Sequence, residues 1–292
     1  MTLDTSAHLL AAPDAAPQTP LRAVVPAPAR AAGLRLTDAV APVAPGSPYD
    51  SPAFVARYAA VWAWGAADPD RTSEPYYRHL LDAALDPTLD GGTRALVAHA
   101  EAPARVLDAG CGPGRVLGEL ARRLPGARCT GIDASAVMIG LADRLLRGRP
   151  EDAVELDAGD YGFAPVRLTP LGRADITLHA RTLAEHAASG PGYDLVVASH
   201  LLDRVPAPRA ALADLAAMVA PGGRLVVSCA FNYDRRDSWQ LATAGQLRDA
   251  LAELGLQPLR VEEAVSYRER LDIRGTVTEH VVALVVAGRP AC

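Results

Sequence analysis

Four residues in the stretch VLDAGCGPGRV carry the clearest chemical content of this 292-residue chain: Asp108, then Gly110, Gly112 and Gly114 at every second position. Each glycine removes a side chain and costs conformational entropy on folding, so packing alone does not explain three of them. A ligand that approaches the main chain does. A second acid, Asp133, ends the run RCTGID and is followed by Ala134. His200 stands directly after the apolar run YDLVVAS, where an imidazole can act as a general base, although a lone histidine is as often structural. Aromatic residues are only 5% of the chain, yet Trp62, Tyr76 and Tyr77 gather ahead of the glycines, and Tyr233 and Trp239 lie in FNYDRRDSW. They could wall a pocket for a small flat ligand oriented by Asn232, Asp234 and His200, or they could be core. No lysine occurs, which excludes lysine-based catalysis. The four cysteines, Cys111, Cys129, Cys229 and Cys292, show neither C-x-x-C pairing nor histidines at zinc-finger spacing. No metal centre is expected, and the thiols read as reduced core residues of a cytoplasmic protein.

These residues need elements to hold them. From Arg105 onward, the strand-like runs RVLDA, RCTGID, YDLVVAS and GRLVVSCA alternate with the helical patterns VLGELARRL and PRAALADLAAMV. Near-continuous Val and Leu runs are what parallel strands covered on both faces require, and the alternation predicts a doubly wound α/β sheet. Ligands of such sheets lie beyond the strand carboxyl ends, at the switch in strand order. After the fifth strand, GQLRDALAELG sets Leu247, Leu251 and Leu254 on one face and stops at Gly255. Ahead of the glycines, AFVARYAAVWAW puts Phe54, Tyr58, Val61 and Trp62 on one helical face, and SEPYYRHLLDAAL opens with a capping Ser73 and an early Pro75. Residues 1–45 are Ala- and Pro-rich and read as a flexible extension, 46–100 as a helical cap and 101–290 as the α/β domain. The extension could instead pack on a second subunit of a homodimer.

The acid-x-Gly-x-Gly-x-Gly pattern resembles motif I of the class I S-adenosylmethionine-dependent methyltransferases. The rival dinucleotide fingerprint G-x-G-x-x-G needs its third glycine where Arg115 stands. The resemblance implies a Rossmann-like methyltransferase fold: a mostly parallel seven-stranded sheet with an antiparallel last strand, closed by LRVEEAVSYRER and HVVALVVAG, plus the N-terminal helical cap. It implies S-adenosyl-L-methionine as cofactor, its amino-acid and ribose parts on the loop Gly110, Cys111, Gly112 and Gly114. Asp108 orients that loop or meets the ligand's ammonium. Asp133 matches motif II and takes the ribose hydroxyls, with Ala134 beside it. Two stretches compete for adenine: AGDYGF, which nominates Asp160 and Tyr161, and ADITLHARTLAEH, which nominates Arg181, Thr182 and Leu183. The distance to YDLVVAS favours the second, the third strand following an inserted loop or hairpin. Ser199 and His200 match the stretch after motif IV, where the backbone passes the methyl donor. Asp203 and Arg204 read as a helix-start carboxylate and its salt-bridge neighbour. A looser similarity, to the methyltransferase domain of ovothiol-forming enzymes (4-mercaptohistidine N-methyltransferases), is carried by YDSPAFVARYAAVWAWG, by ASHLLDRV and by YRERLDIRGTVTEHVVALVVAGR.

A net charge of −5 and a pI near 5.8 argue against a nucleic-acid partner, and no apolar run is long enough for a membrane span. The expected acceptor is therefore a small molecule, a specialised metabolite such as an aromatic or imidazole-containing amino-acid derivative. Its N-, C- or O-methylation would use His200 as base and Trp62, Tyr76, Tyr77, Asn232, Tyr233 and Trp239 as walls. A non-catalytic cofactor-binding scaffold of the same fold and an NAD-dependent oxidoreductase are the competing readings.

Overall fold

The computed structural model describes residues 47–89, 103–159, 162–189, 192–233 and 241–291. The Ala/Pro-rich extension expected over 1–45 lies outside them, as do Asp160, Tyr161, Asp234 and Trp239. The N-terminal segment begins with helix α1 (Pro52–Arg57), where the Ser51 hydroxyl accepts from the Phe54 amide at 3.4 Å, and runs straight into a π-helical turn, Tyr58–Ala63. The wider turn splits the expected single face. Phe54, Tyr58 and Trp62 make an aromatic ladder, with ring centroids 6.2 and 5.7 Å apart, while Val61 turns into the core. Helix α2 (Glu74–Ala84) follows Ser73, but the serine does not cap it: its hydroxyl donates to the Trp62 carbonyl at 2.9 Å.

Strands β1 (Arg105–Ala109), β2 (Arg128–Asp133), β5 (Thr177–Ala180), β6 (Tyr193–Ser199), β7 (Val219–Cys229), β8 (Gln257–Arg270) and β9 (Val277–Gly288) form one sheet in the order β5-β2-β1-β6-β7-β9-β8. All pairings are parallel except those of β9, which is antiparallel to both β7 and β8. This is the Rossmann-like methyltransferase arrangement. The third strand of the sheet is Thr177–Ala180, and the chain before it folds β3 (Val154–Leu156) against β4 (Val166–Leu168) as a separate antiparallel hairpin. Helices α3 (Arg115–Arg123), α4 (Ala136–Leu146), α5 (Leu183–Ser189), α6 (Pro208–Ala217) and α7 (Ala244–Glu253) cover the faces.

Strand alternation divides the core between the two faces. Val106, Leu195, Val197 and Val226 pack with α2 and α3, whereas Leu107, Val196, Leu225 and Val227 pack with α6 and α7. Arg224 of β7 is 0% exposed and donates to the carbonyls of Ala84 (3.0 Å), Asp86 (3.2 Å) and Leu89 (2.8 Å). A buried guanidinium keeps its charge, and these acceptors compensate its desolvation.

The two closing strands are longer than the sheet they join. Pairing of β9 with β7 ends at Cys229↔Ala283, while β8 and β9 stay paired from Val265↔Val282 out to Arg270↔Val277. This overhang projects past the carboxyl end of β7. The N-terminal segment is fastened to it: Arg270 binds Asp68 at 3.4 Å and also Asp70, and the Trp62 indole N–H donates to the Arg270 carbonyl at 2.8 Å.

Candidate functional site

The loop between β1 and α3 has its three glycines for two different reasons. All are left-handed, with φ of 71° at Gly110, 51° at Gly112 and 83° at Gly114, a region that side chains penalise. A Cβ on Gly110 would stand 2.8 Å from Leu201, and one on Gly114 2.6 Å from Leu146, so these two serve packing. A Cβ on Gly112 would meet nothing closer than Met138 and Tyr58, both at 3.9 Å, and Gly112 lines a cavity of about 710 Å³. The loop's amides are turned inward. Gly110 and Cys111 donate to the Ile132 carbonyl at 2.8 and 2.9 Å, Gly112 to Asp133 Oδ2 at 2.9 Å, and Gly114 to the Cys111 carbonyl at 2.9 Å. Proline at 113 has no N–H. These amides are spent on the end of β2 and on the loop, and what the loop offers is a close approach.

Both acids stand around the loop. Asp133 binds the Gly112 amide through Oδ2 and the Ser135 amide through Oδ1 at 2.8 Å, so it orders the loop as well as lining the cavity. Burial pushes its carboxyl up from the ordinary value, against the pull of those two hydrogen bonds. Asp108 is 2% exposed and does not line the cavity; one oxygen, Oδ2, has no hydrogen-bond partner. Burial pushes its carboxyl up to about 7, against a hydrogen bond from the Leu117 amide in the first turn of α3. The reading that Asp108 touches the ligand gives way here to loop ordering. The Ser135 hydroxyl donates to the Tyr49 carbonyl at 2.6 Å and so fastens the N-terminal segment over this end.

Among the other expected residues, Ala134, Arg181, Thr182, Leu183, Ser199, His200 and Asn232 also line the cavity. The Arg181 amide donates to the Asp133 carbonyl at 2.9 Å, and Thr182 with Glu185 makes a reciprocal cap on α5: the Thr182 amide donates to the glutamate at 2.8 Å and the Glu185 amide to the threonine hydroxyl at 3.3 Å. His200 has a positive φ of 51°, unusual for a side-chain-bearing residue, fixed by its amide bond to the Ser228 carbonyl at 3.0 Å. Its Nε2 is buried without a partner. Burial, aided by Arg204 and His280, pushes its imidazole down to about 3. His200 is thus neutral at physiological pH.

The remaining candidates are not in the wall. Tyr76 and Tyr77 are buried at 2% and 5% exposure; the Tyr76 hydroxyl is held by Ser228 at 2.6 Å and Ser199 at 2.9 Å. Trp62 is engaged by the overhang, Tyr233 is buried, and Cys111 and Gly114 lie behind the cavity surface. In their place the cavity is walled by residues composition did not single out: Tyr49 and Tyr58 from the N-terminal segment, and Tyr267, Glu269 and His280 from the overhang. The signal for the last three was strand alternation. Tyr267 and Glu269 are two apart on β8, and Tyr267 is paired with His280 on β9.

Residues 77–263, more than half of the chain, match the family described as "Methyltransferase domain". The trans-aconitate 2-methyltransferase of Rhodopseudomonas palustris (strain BisB18) is 31% identical over 193 residues, covering 62% of this chain and 63% of that protein. The ubiquinone biosynthesis O-methyltransferase of Aeromonas salmonicida (strain A449) is 33% identical over 125 residues, 42% of each chain. The chain thus spans less than two thirds of the length of these curated relatives. Among solved structures, the N-methyltransferase NodS from Bradyrhizobium japonicum WM9 aligns with a TM-score of 0.48 at 19% identity, over 76% of this chain and 99% of that one.

Proposed function

Because the chain belongs to the methyltransferase domain family, we propose that it transfers a methyl group from S-adenosylmethionine to a small-molecule acceptor, an aromatic or imidazole-containing amino-acid derivative, within the 710 Å³ cavity. The observation that carries this reading is the state of the glycine loop. A pyrophosphate needs free amides and a positive surround. Here the amides of Gly110, Cys111, Gly112 and Gly114 are bonded within the protein, and the carboxyl group of Asp133 lines the cavity beside them. Such a cradle suits a ligand that carries positive charge and disfavours a nicotinamide dinucleotide.

S-adenosylmethionine fits that cradle and, when bound, supplies an activated methyl group. Gly112 gives it close approach, Asp133 accepts from hydroxyls with the lone pairs its two amide bonds leave over, and the turn Arg181–Leu183 flanks it on the next strand end. The residues' main task is then alignment and the exclusion of water. Ser199 and His200, at the end of β6, line the cavity, His200 as a neutral group. The β8–β9 overhang and the tyrosines of the N-terminal segment close the far side, where the acceptor binds. The mercaptohistidine-like resemblance agrees with an acceptor of this class.

Isothermal titration with S-adenosylhomocysteine and, in parallel, NAD tests the cofactor half. Micromolar binding of the first and none of the second is expected, and the reverse refutes it. Release of S-adenosylhomocysteine from S-adenosylmethionine on adding a small-molecule cell extract tests catalysis; binding without turnover by any fraction identifies a scaffold.

A further inference from the structure

The overhang places a carboxylate in an aromatic wall. Tyr267 and Glu269 share one face of β8, the register Tyr267↔His280 brings His280 beside them, and all three line the cavity. Glu269 Oε2 is 3.4 Å from His280 Nε2, and the Tyr267 ring lies 6.0 Å from the His280 ring and 4.6 Å from that of His200. Tyr58 lines the cavity too and feels the charge of Glu269. Arg204, the cation at the neighbouring strand end, is 3.8 Å from the buried Asp203, which balances its charge.

This end of the cavity therefore holds a hydrogen-bond acceptor, the Glu269 carboxylate, between tyrosine rings. An anion entering it meets Glu269 as a like charge. A neutral group strips water from the carboxylate without compensation. A protonated amine donates its N–H groups to the carboxylate, and its charge is attracted by the ring faces. We propose that the cavity face of the β8–β9 overhang recognises a protonated amino group on the methyl acceptor, with Glu269 taking its charge and Tyr267 and Tyr58 flanking its stem. The inference rests on the methyl-transfer reading above and names the substrate class of that site: a small molecule with an amino group. That group is a handle and not the atom methylated, since as an ammonium it has no lone pair to accept a methyl group.

The test uses the whole chain saturated with S-adenosylhomocysteine, so that the donor's own site is filled, and three probes of similar shape: tyramine, 4-ethylphenol and 3-(4-hydroxyphenyl)propionate. Calorimetry near neutral pH should give tyramine a dissociation constant at least about tenfold below those of the other two. Glu269→Gln should bring tyramine to the level of 4-ethylphenol and leave S-adenosylhomocysteine affinity unchanged. Equal or tighter binding of the neutral or anionic probe, or binding of none, overturns the proposal, and so does a Gln variant whose loss falls on S-adenosylhomocysteine, which assigns Glu269 to the donor. The order among probes on the wild-type chain decides even where the variant does not fold. Failure of the wild-type chain to bind S-adenosylhomocysteine overturns the methyl-transfer reading itself, whereas binding without an amine preference overturns this inference alone.

Discussion

Asp108→Asn is expected to stabilise the ligand-free protein at alkaline pH. The wild-type carboxyl is 2% exposed, its Oδ2 is without a partner, and burial lifts it to about 7, with the Asp133 charge adding to the lift and the Leu117 amide opposing it. In the unfolded chain the same group titrates near about 3.9. The fold therefore holds this proton more tightly than the unfolded chain does. Its contribution is most favourable below the unfolded value, declines as pH rises through the window from about 4 to about 7, and is level above it. The gap of about three pH units, at about 1.4 kcal/mol each, sets a ceiling of about 4 kcal/mol on the decline. Asparagine keeps a carbonyl oxygen for the Leu117 amide and has no charge to desolvate, so the variant lacks this slope. Denaturant unfolding of both proteins at steps across that window and beyond, without ligand, measures it. The two curves should lie close together near pH 4 and separate in favour of asparagine by a few kcal/mol near pH 8. An offset independent of pH, or a wild-type protein more stable at the alkaline end, refutes burial as the cause.

Gly112→Val is expected to abolish S-adenosylhomocysteine binding in calorimetry while circular dichroism shows an intact fold, because Gly112 lines the cavity and a Cβ there meets no protein atom closer than 3.9 Å, so the added side chain takes ligand space. Gly114→Ala instead meets Leu146 at 2.6 Å and should lower the melting temperature first. Asp133→Ala should weaken S-adenosylhomocysteine by tenfold or more, since it removes the acceptor of two loop amides along with a cavity carboxylate. Tyr76→Ala should cost about 3 to 5 kcal/mol of stability in chemical denaturation, as expected of a buried aromatic residue. Tyr76→Phe should cost only about 1 kcal/mol and leave ligand affinity alone, because Ser199 and Ser228 remain 3.2 Å apart and can bond each other.

What the sequence made legible was whatever leaves a local mark. Glycines at 110, 112 and 114 report left-handed backbone wherever the rest of the chain goes, and Asp133 follows them at one helix and one strand. The third strand at Thr177–Ala180 could be read from its distance to the fourth. Aromatic enrichment was a poorer guide. Tyr76 and Tyr77 have the composition of a pocket wall, but burial against the sheet depends on which strand α2 crosses, and neighbouring residues do not encode that. His200 lines the cavity, yet its charge state is set first by burial, with Arg204 and His280, eighty residues away, adding to it. Tyr267, Glu269 and His280 escaped notice because each is unremarkable alone. Only the register of β8 on β9, and the excess of both strands over β7, assembles them.

The fastening of the N-terminal segment to the end of the sheet has a consequence for the order in which the molecule can be completed. Tyr76 packs against Tyr267, with ring centroids 4.6 Å apart, Ala84 and Leu89 offer their carbonyls to Arg224, and Asp68 waits for Arg270. On the ribosome the first helices emerge with their apolar faces complete and these partners unmade. At about 5 to 20 residues per second, the roughly 190 residues between Tyr76 and Tyr267 take about 10 to 40 s to follow. During that interval the chain exposes a surface whose cover is completed by its last two strands. Loss of a short C-terminal piece would therefore undo both ends at once, and the nascent chain is the form of this protein most exposed to aggregation and most in need of a chaperone.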